Sequence, residues 1–360
     1  MKSLHNIYTA YSILRWRKSL GKYIGYTLLL CFTTSVQAQD IHFSQFYETP
    51  LLRNPSLAGI YTGDMRVQMV HRSQWNSVTI PYVTTSLNAE TKLPLREGGD
   101  DYISLGTQLM YDQAGSTNFK SVHVLPVINY HKSLSTEKNR YLSLGFMGGY
   151  VNRNIDRSKI TTNNQWGSGG FDATLPTGET FINSTYQYWD ATVGASYNSN
   201  IGESDENNYY VGFAYHHFNK PKVGFYENSK QQLATKWVAS AGFKYHFGED
   251  SYITLLADHS EQGSYKESLA GALYSVNLVN GAKETQYAIH AGAFLRWKDA
   301  LIPVVKLDYS PLSISFSYDA NISQLKTVSR GRGGFEISIS YLGFREKYNS
   351  ARDAVRCPRF

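Results

Sequence analysis

The sequence has little cysteine, little net charge beyond its first residues and no long apolar run in its body. It has two cysteines among 360 residues, and Cys31 lies in a segment that we predict to be removed, which excludes an intramolecular disulfide. Residues 1–38 contain five basic residues and no acid, which leaves 30 bases, 35 less these five, against 29 acids. A nearly neutral mature chain lacks the clustered bases that nucleic-acid binding requires.

The first 38 residues have the features of a secretory signal peptide. Basic residues extend to Lys22, an apolar stretch follows from Tyr23 to Val36, and small residues lead to Ala38. We therefore predict a signal peptide over 1–38 with cleavage near Ala38. A membrane-spanning helix is the alternative, but a span needs roughly 20 apolar residues, and this stretch is shorter and interrupted by glycine and threonine.

The remaining chain alternates large apolar side chains with small or polar ones, over stretches of about ten residues. Alternation places the apolar side chains on one face of a β-strand. One apolar face is formed by Trp189, Ala191, Val193, Ala195 and Tyr197. About fourteen such stretches follow Met65, and bacterial outer-membrane barrels have an even number of strands. We predict an all-β fold, a transmembrane antiparallel outer-membrane β-barrel of about 14 strands with a short irregular N-terminal segment.

The lengths of the connections agree with this interpretation. The three longest, Asn152 to Ser184, Asn219 to Gln232 and Asn321 to Arg332, all follow odd-numbered stretches, so we expect them at the end of the barrel that faces outward. The short connection near Lys298 is the exception. A soluble β-sandwich also alternates, and it remains the alternative to the barrel.

The predicted organisation has four parts. Residues 1–38 are the signal peptide, 39–64 a periplasmic or plug segment, 65–344 the barrel, and 345–360 a periplasmic tail. The segment 39–64 contains prolines and aromatics without a strand period, so we expect it to fill the barrel mouth or to meet a periplasmic partner.

The sequence contains no signature of catalysis or of a metal or cofactor site. The motifs GxSxG, HExxH, the P-loop and GxGxxG are all absent. We therefore expect no enzymatic activity and no cofactor. His216 and His217 are expected in a strand, with rings on opposite faces. Asp258 and His259 are interpreted as a polar loop end.

Charged residues on the predicted interior face leave two possibilities, a selective pore or a closed, packed lumen, and we favour the closed lumen. These residues are Glu90, Asp112, Asp190, Lys244, His246, Arg296, Lys306, Asp308 and Glu336.

Several short motifs, in their order along the chain, carry a family resemblance. The first is the run Gln39-Asp-Ile-His-Phe-Ser-Gln-Phe-Tyr47. The motif residues are Phe43, Gln45, Asn54, Pro55, Gly59, Arg72, Trp75, Tyr318, Asp319, Gly334 and Glu336. In this order they resemble the PorP/SprF family of the type IX secretion system, which is known from Bacteroidetes-type bacteria.

The resemblance implies an outer-membrane β-barrel that assists the export or surface attachment of a secreted protein. The implied partners are a large adhesin, such as a gliding-motility adhesin, or its C-terminal domain, and periplasmic, peptidoglycan-linked and membrane components of the machine. Outer-membrane lipid would surround the wall. A role in the core machine and a role with one adhesin both stay open, and an outer-membrane porin or small-solute channel is the alternative function.

The predicted outward loops carry aromatic residues that are candidates for contact with a secreted partner. They are Trp166, Phe171, Phe181, Phe225 and Tyr226. Solvated loops without a partner are the alternative.

Overall fold

In the computed structural model of the chain, the described residues are 40–74, 80–96, 99–135, 139–179, 183–202, 206–226, 229–248, 250–279, 286–323 and 331–344. Within them, fourteen antiparallel strands close into one barrel. The strands are β1 (Met65–Gln74), β2 (Tyr82–Pro94), β3 (Tyr102–Ala114), β4 (Phe119–Ser135), β5 (Arg140–Asn154), β6 (Thr185–Asn200), β7 (Asn208–His216), β8 (Lys236–His246), β9 (Ser251–Gln262), β10 (Tyr265–Val279), β11 (Gln286–Arg296), β12 (Ala300–Tyr309), β13 (Leu312–Asn321) and β14 (Arg332–Gly343).

The barrel closes where the first strand pairs with the last. Met65 of β1 lies opposite Gly343 of β14, and Arg72 lies opposite Glu336. Closure removes the free sheet edges that would otherwise be open to aggregation. The predicted barrel of about 14 strands is confirmed, and the β-sandwich interpretation is wrong, because one closed sheet stands in place of two packed sheets.

The two faces of the wall have opposite polarity. Outward side chains such as Leu144, Val305 and Ile314 are exposed, and Trp189 keeps 70% of its surface accessible. Many inward side chains are polar, and several of them, such as Asn129, are fully buried. A barrel in a bilayer requires this arrangement, because lipid covers the apolar face while the interior stays polar. The faces therefore follow the alternation in the sequence.

The connections divide the barrel into two ends. The end that carries the three longest connections, 155–184, 217–235 and 322–331, is here called the long-loop end. It also carries the two-residue connection 263–264. The opposite end, here called the short-turn end, includes the two-residue connection 310–311. Within the longest connection, Trp166–Gly167 pairs with Gly170–Phe171 as a small ribbon.

Residues 40–64, here called the plug segment, run through the lumen from the long-loop end to the short-turn end. Asp40 contacts His217 and Gln262 at the long-loop end, whereas the N–H of Asp64 donates to the carbonyl of Gly343 at the short-turn end. The segment contains three short turns: a 3₁₀ helix at Phe46–Glu48, α1 at Pro50–Arg53 and a 3₁₀ helix at Pro55–Leu57. Proline begins two of them, because its fixed φ suits the first helical position.

Apolar side chains of the plug segment pack against two parts of the inner wall. Phe46, Leu57 and Ile60 pack in a cluster with residues of β7 and β9 to β12. Leu51 and Ala58 join a second cluster with residues of β4, β5 and β6. Burial of these side chains removes apolar surface from water and favours the plugged state. Within the described ranges we find no helix with the length and hydropathy that a membrane crossing requires.

Candidate functional site: the plugged lumen and the long-loop end

A carboxylate on the last strand fixes the beginning of the plug segment. The side chain of Glu336 accepts hydrogen bonds from the backbone N–H groups of Ser44, at 2.6 Å, and Gln45, at 2.7 Å. The same carboxylate forms an ion pair with Arg72 of β1 at 2.6 Å. A charge taken out of water is tolerated when it is paired and its remaining lone pairs are bonded. Glu336 therefore joins the plug segment to the seam of the barrel.

A second carboxylate, Asp319 of β13, completes this cluster. It accepts from the hydroxyl of Ser44 at 2.6 Å. It also pairs with Arg72 and with Arg296 of β11, each at 3.1 Å. Two arginines thus oppose two carboxylates around one serine of the plug segment, and the charges compensate each other. We call Ser44, Arg72, Arg296, Asp319 and Glu336 the seam cluster.

Further along, two charged residues of the plug segment bind the wall. Glu48 accepts from Lys306 and Gln68, each at 2.7 Å, and from Ser340 at 2.9 Å. Arg53 forms an ion pair with Asp258 of β9. These partners come from four strands, so the plug segment is bonded around much of the barrel's circumference.

The second half of the plug segment lies against the opposite wall. The side chain of Asn54 accepts from the N–H of Ser56 at 2.9 Å and begins the turn Pro55–Leu57. Asn129 of β4 donates to the carbonyls of Ser56 and Ala58, at 2.7 and 2.8 Å. These bonds give partners to two carbonyls of the plug segment.

Gly59 ends this stretch in a conformation that favours glycine. Its φ is +82°, a region that other residues rarely adopt. Its N–H donates to Glu90 at 2.9 Å, and Glu90 pairs with Arg66 at 2.8 Å. A side chain at this position would also collide with Ser104. The glycine is therefore fixed by both backbone and space.

Seven of the family-motif residues fall into two groups in the structure. Gln45, Arg72, Asp319 and Glu336 meet at or beside the seam cluster, and Asn54, Pro55 and Gly59 fix the second half of the plug segment. Phe43 is buried in the plug segment, and Gly334 lies against Ser73 and Gln74 of β1. Tyr318 faces outward on β13, and Trp75 lies outside the described residues.

A charged clamp holds the first described residue of the plug segment. The ring of His217 contacts Asp40 at 2.7 Å and Asp190 at 2.8 Å, and Lys236 lies 3.9 Å from Asp40. Burial alone would lower the pKa of His217, but the charge of Asp40 and the bonds to both carboxylates raise it to about 10. Burial alone would raise the pKa of Asp40, but His217 and Lys236 hold it well below its usual range.

Two sequence interpretations of charged residues are wrong. β7 ends at His216, and His217 has a φ of +55°. This turns the chain, so both rings face the interior, with centroids 6.1 Å apart. Asp258 and His259 lie within β9 rather than in a loop, and Asp258 binds the plug segment. In the described part of the chain, no group of three or more histidines, cysteines or acids is placed to hold a metal ion.

Sequence reasoning did not single out Ser44, Glu48 or Arg53. They lie in an irregular segment where no period of 2 or 3.6 separates a buried side from an exposed one. The available signal was chemical. Glu48 and Arg53 are charged residues close to two prolines and several apolar side chains, and buried charges need partners.

At the long-loop end, the candidate aromatic residues differ in accessibility. Trp166 and Phe171 lie opposite each other in the small ribbon, with ring centroids 5.7 Å apart, and their exposed fractions are 63% and 44%. Tyr226 is also exposed. Phe225 is half-buried and packs on Tyr186 at 4.8 Å. Phe181 lies outside the described residues.

Three comparisons relate the chain to known proteins. A family model described as "Type IX secretion system membrane protein PorP/SprF" matches residues 35–341. No curated protein matches the chain.

Solved structures that resemble the chain include the translocator domain of autotransporter NalP from Neisseria meningitidis, with 10% identity over 83% of this chain and 95% of that chain, and a TM-score of 0.43. CdiB from Acinetobacter baumannii has 9% identity over 77% of this chain and 60% of that chain, with a TM-score of 0.41. The P. putida toluene transporter TodX has 9% identity over 81% of this chain and 93% of that chain, with a TM-score of 0.41.

Proposed function

The chain belongs to the PorP/SprF family of type IX secretion system membrane proteins, and from this membership we propose that it acts by holding a secreted protein at its long-loop end. Family and fold together make it an outer-membrane barrel of type IX secretion. That class works with the components of the secretion machine, and it is generally non-enzymatic. We assign the long-loop end to the cell surface, since outer-membrane barrels carry their longer loops there.

The observation that carries the proposal is the bonded plug segment. Glu48 and Arg53 of the segment form ion pairs with Lys306 and Asp258 of the wall. Glu336 of the wall also accepts hydrogen bonds from the segment's backbone. Breaking one buried ion pair costs about 3–5 kcal/mol, so release of the segment would require several such losses together. A barrel closed in this way is suited to binding a protein at its long-loop end rather than to conducting solutes.

The exposed aromatic side chains of the long-loop end support the same proposal. Trp166 and Phe171 project from the longest connection as an adjacent, exposed aromatic pair. Exposed aromatics in contact with one another are typical centres of protein interfaces, because they bury a large area with little loss of side-chain entropy. Tyr226 adds a third ring to the rim.

We propose a large adhesin of the gliding type, or its C-terminal domain, as the secreted partner. Periplasmic and peptidoglycan-linked components would meet the short-turn end, which faces the periplasm in this orientation. The outward apolar face of the strands contacts outer-membrane lipid. If the barrel has a core role, the export of many proteins should depend on it. If it is dedicated to one partner, the export of one adhesin should depend on it.

The test is a clean deletion in the native organism, in which secreted and surface-attached proteins are compared with those of the complemented strain. We expect loss of surface-attached protein, either of one large adhesin or of many exported proteins. An unchanged set of exported proteins would contradict the proposal and favour the alternative, an outer-membrane porin or small-solute channel.

A second strain separates rim binding from barrel folding. It carries Trp166→Ala and Phe171→Ala. It should contain normal amounts of folded barrel, but the amount of surface-attached partner should fall at least tenfold. Trp189→Ala is the control, because this exposed aromatic lies on the lipid-facing wall. Phe225 is unsuitable for this test, since it packs on Tyr186. Normal partner levels in the double variant would exclude the ribbon as the binding surface.

A further inference from the structure

One inward arginine at the long-loop end has no carboxylate partner among the described residues. Arg153 lies near the end of β5 and shares the inward face of that strand with the buried Val151. Within the described ranges, its guanidinium makes one hydrogen bond, in which it donates to the hydroxyl of Tyr186 at 3.3 Å. Its Nε atom is buried without a hydrogen-bond partner there. A guanidinium has five N–H donors, so Arg153 keeps most of its binding capacity.

The other inward arginines show how the lumen usually treats such a charge. Each of the arginines that are buried in the described part of the barrel forms an ion pair with a carboxylate. They are Arg53 with Asp258, Arg66 with Glu90, Arg72 with Glu336 and Arg296 with Asp319. A charge taken out of water is stabilised by such a partner, and the half-buried Arg153 is the exception that lies at the barrel mouth.

The strand register keeps the nearby acid Asp112 away from Arg153. Asp112 of β3 and Arg153 of β5 both lie opposite Ser121 of β4, so their backbones are two strand spacings apart, about 9–10 Å. Asp112 instead accepts from the hydroxyl of Thr84 at 2.6 Å. Arg153 and Asp112 therefore do not form an ion pair, and the guanidinium is left for a carboxylate from outside the chain.

Aromatic rings surround the guanidinium of Arg153. Its carbon lies 5.6 Å from the ring centroid of Tyr188 and 6.0 Å from that of Phe119. Phe225 packs on Tyr186 at 4.8 Å and on Phe119 at 6.2 Å. Rings stabilise a guanidinium through its face, whereas a carboxylate binds the N–H groups along its edge. We call Phe119, Arg153, Tyr186, Tyr188 and Phe225 the arginine site.

The charge of the neighbouring loop favours an acidic partner. The connection 217–235 carries Lys220, Lys222 and Lys230, all exposed, and it contains one acid, Glu227. Exposed bases attract an acidic segment and orient its approach. The loop and Arg153 therefore select the same sign of charge.

We propose that the arginine site binds the side-chain carboxylate of an aspartate or glutamate of the secreted partner. The proposal rests on the proposed function, and it adds the chemical group that the long-loop end recognises. The exposed pair Trp166 and Phe171 supplies apolar contact area, whereas Arg153 supplies selectivity for charge. Arg153 faces the lumen, so the phosphates of surrounding lipid do not meet it.

The test uses the full chain in living cells of the native organism. The photo-crosslinking amino acid p-benzoylphenylalanine replaces Tyr226, an exposed ring next to Phe225. In a matched strain it replaces Tyr309, an exposed ring at the short-turn end. We expect the Tyr226 probe to crosslink the surface-attached protein that the deletion strain loses, through a peptide that contains an acidic residue. The Tyr309 probe should not give this product.

Substitutions of Arg153 separate its charge from its packing. Arg153→Gln should lower the crosslinked product about tenfold or more, because a hydrogen-bonded charge pair is lost. Arg153→Lys keeps the charge without the planar fork and should retain part of the product. Lys120→Gln is the control, since it removes an exposed positive charge from β4 at the same end, and it should leave the product unchanged.

A change in the partner tests the site without altering the barrel. Replacement of the captured acid by its amide should lower the product as much as Arg153→Gln does. Replacement of the captured acid by lysine should restore the product that Arg153→Glu loses. The amide result decides the question if the Arg153 variants fold poorly, because a role of Arg153 in packing alone does not respond to a change in the partner.

The proposal is overturned if the captured peptide contains no acid, if Arg153→Gln leaves the product of a folded barrel unchanged, or if the amide variant of the partner is captured as before. When deletion and the Trp166 and Phe171 double variant nevertheless reduce the surface-attached protein, only the arginine site fails. If deletion has no effect, the proposed function fails, and the arginine site has no secreted protein to bind.

Discussion

Arg72 on the first strand and Glu336 on the last strand lie opposite each other and form a buried ion pair at 2.6 Å. The pair spans the seam at which the barrel closes. Glu336 also accepts from the backbone of Ser44 and Gln45. One carboxylate therefore links wall closure to plug position, and its removal should affect both.

Glu336→Gln should lower the free energy of unfolding by about 3–5 kcal/mol, because it leaves Arg72 buried without its strongest partner. Urea unfolding of the purified barrel in lipid vesicles measures this change. Glu261→Gln is the matched control, since its partner Lys266 is largely exposed, and exposed pairs contribute little. Equal effects of the two substitutions would contradict a special role for the seam.

Gly145→Ala should destabilise the plugged barrel by about 1–3 kcal/mol through overpacking. A β-carbon at Gly145 would collide with the backbone of Pro55 and Ser56. Gly248→Ala serves as control, because a β-carbon there meets no atom within 4 Å. The same unfolding measurement applies. If Gly145→Ala behaves like the control, the plug segment does not approach β5 as closely as described.

The clamp at the beginning of the plug segment should depend on pH. The pKa of His217 is raised from 6.5 to about 10, so its contribution to stability is complete below pH 6.5 and lost as the pH rises through about 10. The pKa of Asp40 is lowered from 3.8, so its contribution is present above pH 3.8 and lost below it. Asp190 and Lys236 complete the charged surroundings.

The measurement is the difference in unfolding free energy between wild type and His217→Gln, taken from pH 5 to pH 10.5. We expect a constant difference up to pH 6.5 and a progressive decrease above it. A difference that does not change with pH would show that His217 contributes only by packing.

An epitope inserted between Gln39 and Asp40 should be accessible to antibody on intact cells, because Asp40 lies at the long-loop end beside His217. The same epitope after Gly248, at the short-turn end, should become accessible only after permeabilisation. An epitope after Asp172, in the longest connection, reports the orientation of the barrel independently. Accessibility at Asp172 without accessibility at Asp40 would contradict the path of the plug segment.

The purified barrel should show no steady single-channel conductance in planar bilayers, since Glu48, Arg53 and Glu336 fix the plug segment across the lumen. Glu336→Gln with Lys306→Met weakens two of these attachments and should produce intermittent openings. Steady conductance of the wild-type protein would favour the solute-channel alternative.

The strands of the barrel wall could be predicted from the sequence far better than the path of the plug segment inside it. Alternation of period 2 determines which side chains face lipid, so the strand number and the faces of strands such as β6 followed from the pattern. The path of the plug segment did not, because it has no period and is determined by pairing with distant residues such as Glu336. His217 was misplaced for a local reason: its positive φ is not encoded in any period.

The plug segment also has a consequence for the order of assembly. It continues directly into β1, and its first residues bind Glu336 on β14, the last strand to be synthesised. A cylinder that closed first would have to be threaded afterwards by its own leading segment. The simplest order is that the sheet curls around the segment and that the seam forms last, so the barrel and its filling are completed as one cooperative step.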